Sequence, residues 1–182
     1  MSKNADIWER IESKVIADCR VFKVREDLSQ NGDKRAKFYV IENCDWVNVV
    51  PVTKDFDIVL IEQYRHGIEE ITLEIPGGMI DGDESPESAA RRELLEETGF
   101  SAKEFAFLGK SRPNPAINNN WIYHFAALDA EKTMEVEFDE HESVVTKLFP
   151  MMAIPGMMKS GEISHSLVIA ALQYFSFYMM KV

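Results

Sequence analysis

Between Ser85 and Gly99 the chain carries the start and stop signals of one helix. Ser85 can cap free backbone N–H groups, Pro86 suits the first helical position and Gly99 is placed to end the last turn, so the spacing predicts a helix over residues 86–98. Glu93 and Glu97 stand one turn apart and Glu96 lies three residues from Glu93, which puts three carboxylates on neighbouring positions of one side. Ala90 and Leu94 turn elsewhere, toward a core. Carboxylates stacked in this way repel one another unless a cation lies between them. With oxygen donors and neither His nor Cys in the helix, that cation is a hard divalent ion, Mg²⁺ or alternatively Mn²⁺, in preference to zinc. For the helix taken alone, a solvated acidic face is the competing reading.

Around this helix lie β-prone runs at 20–25, 37–42, 46–52, 57–65, 73–75, 105–108, 122–128 and 144–149, rich in Val, Ile, Phe and Tyr. Asn31-Gly32 marks a hairpin tip between the first two. Further helices are expected at 151–159 and 166–180. Strands dispersed among few helices predict an α+β or α/β sandwich with a mixed sheet. With no internal repeat and no Pro/Ser-rich spacer, residues 1–182 read as one domain, in which 1–45 form an N-terminal strand and hairpin region.

Lys and Arg number 20 against 31 Asp and Glu, a formal charge of −11. That excess, without a long basic run, repels a nucleic-acid backbone and argues against DNA or RNA as a partner. Small phosphorylated compounds stay open, since divalent cations held by acidic groups reverse the local field. The apolar stretch 167–180 is broken by Gln173 and Ser176 and falls short of the roughly 20 residues that cross a bilayer, so it reads as a buried helix and no membrane partner is expected. The polar first residues lack the apolar core of a secretory signal, and Cys19 and Cys44 are too few for a disulfide scaffold. Both features suit a reducing cytoplasm.

Reading backward from the helix gives Ile75-Pro76-Gly77-Gly78, a loop over 79–83, Glu84, and then Arg92-Glu93-Leu94-Leu95-Glu96-Glu97-Thr98-Gly99-Phe100. The pattern resembles the Nudix box, Gly-x5-Glu-x7-Arg-Glu-U-x-Glu-Glu-x-Gly-U with U apolar, at every specified position. From average residue frequencies, such a match arises by chance on the order of once in ten million chains of this length. The resemblance implies a Nudix-type α/β/α sandwich and a loop–helix–loop that holds divalent cations against a diphosphate, with water attacking phosphorus. It makes Glu93 and Glu97 principal metal ligands, Glu96 a further ligand and the Gly77 carbonyl a main-chain ligand. Gly77 and Gly78 let backbone approach metal and phosphate, and Arg92 orients the glutamates.

Outside the box, Glu62-Gln63-Tyr64-Arg65 and Thr72-Leu73-Glu74-Ile75-Pro76-Gly77-Gly78 resemble the branch that cleaves ADP-ribose and related nucleoside diphosphate sugars, for example GDP-mannose. The resemblance implies that Arg65 contacts the diphosphate, that Pro115 is the proline typical of the branch, and that a later acidic loop supplies Glu140 as catalytic base and Glu142 as an additional ligand. A plain acidic loop is the competing reading of 135–142. After Pro115 the chain departs from the branch, with Asn118-Asn119-Asn120-Trp121 where Gly-rich residues and a glutamate are common. Asn119 and Asn120 could bind a sugar or base edge, and equally read as a turn. Trp46 reads either as an aromatic near the base or as core at a strand start, and His124 as a satisfied sheet residue. Relatives with such an N-terminal hairpin form homodimers, so a homodimer is expected. The alternatives to a nucleotide-sugar hydrolase are a sensor that binds without cutting, which would not need all three glutamates, and a hydrolase of nucleoside triphosphates or dinucleoside polyphosphates.

Overall fold

A computed structural model describes residues 5–136 and 144–181. They divide into two compact units, one holding the described residues through Cys44 together with Arg112–Trp121, the other holding Asp45–Ser111 and the described residues from Ile122 onward.

The first unit is an antiparallel sheet in the order β1 (Glu9–Asp18), β2 (Lys23–Asn31), β3 (Lys34–Glu42). The expected Asn31-Gly32 turn joins β2 to β3, with Gly32 at φ 57°, the left-handed region such turns need. Expected strand 20–25 begins late, at Lys23, because the chain turns at Arg20 with φ 67°. β1 is an additional strand. All ten of its residues are exposed, so it shows no buried alternation; its antiparallel backbone ladder with β2 holds it, and charge and ring contacts across the sheet add to that. Lys14 of β1 and Lys37 of β3 each reach Glu26 of β2 at 3.1 Å, and Trp8 meets Phe38 edge to face at 5.2 Å. The 112–121 segment returns to this sheet, where Ile41 N–H donates to the Ile117 carbonyl at 2.7 Å.

The second unit contains β4 (Trp46–Pro51), β5 (Asp57–Arg65), β6 (Glu70–Glu74), β7 (Gly77–Met79), α1 (Pro86–Thr98), β8 (Phe100–Ser101), β9 (Glu104–Ser111), β10 (Ile122–Leu128), β11 (Glu131–Lys132), β12 (Val144–Pro150), a 3₁₀ turn (Met151–Ala153), α2 (Ile154–Ser160) and α3 (Ser166–Met179). One sheet runs β7-β4-β10-β9, with β4 parallel to β10 and the other pairs antiparallel; a second runs β12-β5-β6.

Period-2 alternation sends successive side chains to opposite faces. Val47 and Val49 of β4, Val59 of β5 and Phe125 and Ala127 of β10 pack with Ala89, Ala90 and Leu94 of α1. Val50, Ile58, Leu60 and Ala126 pack on the other side with Ile154, Val168, Leu172 and Phe175 of α2 and α3. This unit is therefore the expected helix–sheet–helix sandwich with a mixed sheet. Among the described residues no helix is long and apolar enough to cross a membrane.

Candidate metal and phosphate site

The bounds of α1 are those its caps predict. Ser85 Oγ accepts the Ser88 N–H at 3.1 Å, and Gly99, at φ 70°, donates its N–H to the Leu95 carbonyl at 2.9 Å. Fully buried Leu94 fixes the helix's rotation against the sheet. That rotation turns Glu93 and Glu97 toward the Gly77-Gly78 backbone of β7 and leaves Glu96 exposed.

The approach is close. Gly77 N–H donates to Glu97 Oε2 at 2.9 Å, while a Cβ built on Gly78 would sit 2.6 Å from Cδ and 2.8 Å from Oε2 of Glu93. A side chain at residue 78 would displace the Glu93 carboxylate, and one at residue 77 would strike the backbone of Val47 and Asn48, so Gly77 is a steric requirement of the cradle and Gly78 leaves Glu93 its place. β7 itself was not foreseen, because Gly-Gly has little strand propensity; pairing with β4, Val47 to Gly78 and Asn48 to Gly77, creates it.

Arg92 organises the outer side. Its Nη1 donates to Glu93 Oε1 at 2.8 Å and Glu96 Oε2 at 3.0 Å, and its Nη2 donates to the Met79 carbonyl at 2.9 Å and Glu84 Oε2 at 3.2 Å. Burial works against its charge, but these anionic acceptors prevail and hold the guanidinium more firmly protonated than usual. Glu84, given no role from the sequence, is the strut between Arg92 and the preceding loop.

Burial raises the Glu93 carboxyl above its ordinary value although Arg92 opposes it, and burial pushes Glu97 up to about 8 against the Gly77 N–H. Carboxylates carried into a poorly solvated place are most stable as anions when a cation compensates them. Among the described residues no three such groups converge as a ready-made metal shell; Arg92 and the Gly77 N–H instead engage these carboxylates. The donor set nevertheless fits a hard divalent ion, being all oxygen, held in part below the surface, and lined by backbone that glycine keeps accessible.

Arg65, at the end of β5, is gripped by a residue the sequence reading did not single out. Its Nε and Nη2 donate to Glu74 Oε1 and Oε2, both at 2.7 Å, and Glu74 is only 3% exposed. A charged residue between Leu73 and Ile75 was the available signal, since a buried charge needs a partner. Arg65 also lies close enough to Glu97 to draw its carboxyl downward. Trp46 opens β4 opposite Met79 and is half-buried, beside the β7 segment of the cradle.

The remaining expected residues are distributed differently. Pro115, Asn119 and Asn120 belong to the first unit, whereas Arg65, Gly77, Gly78, Arg92, Glu93, Glu96 and Glu97 share the second. Asn118 N–H donates to the Asn114 carbonyl at 2.7 Å, a bond of a turn, whereas Asn119 Oδ1 accepts the N–H of Asn43, distant in sequence, at 2.9 Å. Asn120 is 2% exposed, and neither side-chain atom has a hydrogen-bond partner. Arg112 covers the Trp121 ring at 3.6 Å. Buried His124 bonds Ser111 Oγ through Nε2 at 2.9 Å, as a sheet residue would, though Nδ1 is unpartnered. Glu140 and Glu142 lie outside the described residues.

Residues 45–172 match the NUDIX domain family. The chain is 28% identical over 171 residues to the ADP-ribose pyrophosphatase of Bacillus subtilis (strain 168), covering 90% of this chain and 92% of that protein. It is 28% identical over 175 residues to the ADP compounds hydrolase NudE of Escherichia coli (strain K12), covering 94% and 93%. A crystal structure of an ADP compounds hydrolase superposes with a TM-score of 0.85 at 25% identity, covering 99% of this chain and 98% of that one.

Proposed function

Because this chain belongs to the NUDIX family, we propose that it is a Mg²⁺-dependent pyrophosphatase of nucleoside diphosphate sugars, releasing a nucleoside monophosphate and a sugar phosphate. The carrying observation is the seating of the half-buried Glu93 and Glu97 against the Gly77-Gly78 backbone. Whole-length likeness to proteins named for ADP-ribose and ADP compounds supports the substrate class.

In this reading Glu93, Glu97, Glu96 and the Gly77 carbonyl would hold the metal, with Mn²⁺ as a substitute. When bound, such an ion neutralises charge on the diphosphate oxygens and makes water more acidic. The chain's own residues position the reactants, which phosphoryl transfer needs more than covalent help. Arg92 keeps Glu93 and Glu96 from splaying apart. Arg65 offers its guanidinium to the diphosphate, and Glu140 removes a proton from the attacking water, with Glu142 as an added ligand. Trp46, beside β7 in the same unit, is assigned to the nucleoside or sugar.

The protein is further proposed to be a homodimer joined through β1–β3, a reading supported by the exposure of Ile11, Val15 and Ile16 along β1. Light scattering should give twice 20.8 kDa, and a monomer at working concentration would contradict it. A reducing cytoplasm is the proposed location, since two cysteines are too few for a disulfide scaffold.

Incubation with ADP-ribose, GDP-mannose and related compounds plus Mg²⁺ tests the activity. The expected products are the monophosphate and sugar phosphate; no phosphate-ester product from any member would reject the reading. Turnover confined to nucleoside triphosphates or dinucleoside polyphosphates would replace the substrate class, and tight binding without turnover would make it a sensor.

A further inference from the structure

The β5–β6 hairpin contains an ion pair whose geometry is unusual for a merely stabilising one. In register Arg65 stands opposite Glu70, an exposed glutamate on the same face, yet its guanidinium reaches along the hairpin and forks onto Glu74. The nearer surface partner is passed over for a buried one. Burying an ion pair seldom adds net stability, because desolvation consumes the Coulombic gain, so the choice of Glu74 calls for another explanation.

The fork fixes a direction. Two parallel charge-assisted bonds hold the planar guanidinium in one orientation, which a single bond to a lysine or amide could not do. The carboxylate is itself held, since Thr72 Oγ1 donates to Glu74 Oε1 at 2.5 Å from two residues earlier on β6. Glu74 is anchored in the strand that leads through Ile75 and Pro76 into Gly77. The pairing uses Nε and Nη2, leaving Nη1 outside the fork on a side chain that is 41% exposed.

We propose that Glu74, braced by Thr72, is the positioning residue that aims Arg65 at a phosphate oxygen of the bound diphosphate. The proposal rests on the hydrolase reading above for the identity of the ligand. Glu74 touches no substrate in this account; it acts through Arg65.

The test uses the full chain and the nucleotide sugar it cleaves fastest, with Arg65→Ala, Glu74→Gln, their double variant and Thr72→Val. Arg65→Ala and Glu74→Gln should each lose about 10- to 100-fold in kcat/KM, the scale expected when a positioning group is displaced by about an ångström. The double variant should lose no more than Arg65→Ala alone, and Thr72→Val should lose several-fold in the same direction. Affinity for ADP, measured by calorimetry, should fall in parallel. Multiplying losses in the double variant, or a Glu74→Gln enzyme with wild-type kcat/KM and ADP affinity, would overturn the proposal. If Glu74→Gln fails to fold, Thr72→Val decides, because it keeps the shape and removes one donor; unchanged kinetics and ADP affinity would sink the idea. A wild type that binds ADP through Arg65 and Glu74 but cuts no nucleotide sugar would overturn the hydrolase reading and leave the positioning role standing.

Discussion

Carboxylates in the N-terminal sheet and on α1 are pushed in opposite directions by their surroundings. On the sheet, the bond from Lys37 and then that from Lys14 bring Glu26 below its ordinary value, and Asp27, despite burial, is brought down by Ser13 and Arg25. Near β7, burial raises Glu93 and Glu97. The sheet's acids have cations of their own and serve the fold. Glu93 and Glu97 stay raised even though Arg92 bonds Glu93 and Arg65 draws Glu97 down, an electrostatic cost that the cation proposed above would offset.

The contrast can be broken most sharply at Glu97. Glu97→Gln should lower kcat by about three orders of magnitude or more, with the melting temperature unchanged or raised, because a buried charge is removed while shape is kept. Turnover within tenfold of wild type would take Glu97 out of the site. Gly78→Ala should follow, losing about 100-fold in kcat/KM as the new methyl displaces Glu93; wild-type kinetics would show the cradle is not tight.

Stability against pH separates the two regions by sign. Glu97 has a folded value of about 8 against an ordinary 4.5, so the native state binds the extra proton between these limits. Its contribution is present below about 4.5 and lost as pH rises toward 8. Asp27 is depressed, so its contribution is present above the ordinary 3.8 and lost as pH falls. The melting difference between wild type and Glu97→Gln in EDTA should therefore move against wild type from pH 5 to 8, and Mg²⁺ should abolish that trend. The difference between wild type and Asp27→Asn should grow in favour of wild type as pH rises from acid toward neutrality and be indifferent to Mg²⁺. Identical profiles for the two variants would erase the contrast. The smallest effect is at the cap, where Ser85→Ala should cost about 1 kcal/mol in denaturant unfolding.

What could be read from the chain alone follows from how local each cause is. The bounds of α1 were legible because Ser85, Pro86 and Gly99 act within a turn of themselves, and β10 because Ile122, Tyr123, Phe125 and Leu128 crowd apolar and aromatic residues around a single His124. β1 was not, since Glu9, Arg10, Glu12 and Lys14 look like loop residues until Glu26 and its neighbours stand opposite. The 151–159 helix begins instead as a 3₁₀ turn, with Pro155 near the start of the α-helix proper. At the site, glutamate spacing announced Glu93, Glu96 and Glu97, and the box held Arg92 in plain view. The grip of Glu74 on Arg65 depends on a strand register that no local pattern encodes.

Titration with Mn²⁺, followed by electron paramagnetic resonance in the presence of a non-hydrolysable ADP-ribose analogue, tests the central claim most directly. Wild type and Asp27→Asn should take up the ion with equal affinity, while Glu93→Gln and Glu97→Gln should bind it at least tenfold more weakly. Equal Mn²⁺ affinity in all four proteins would show that the carboxylates on α1 are not its ligands.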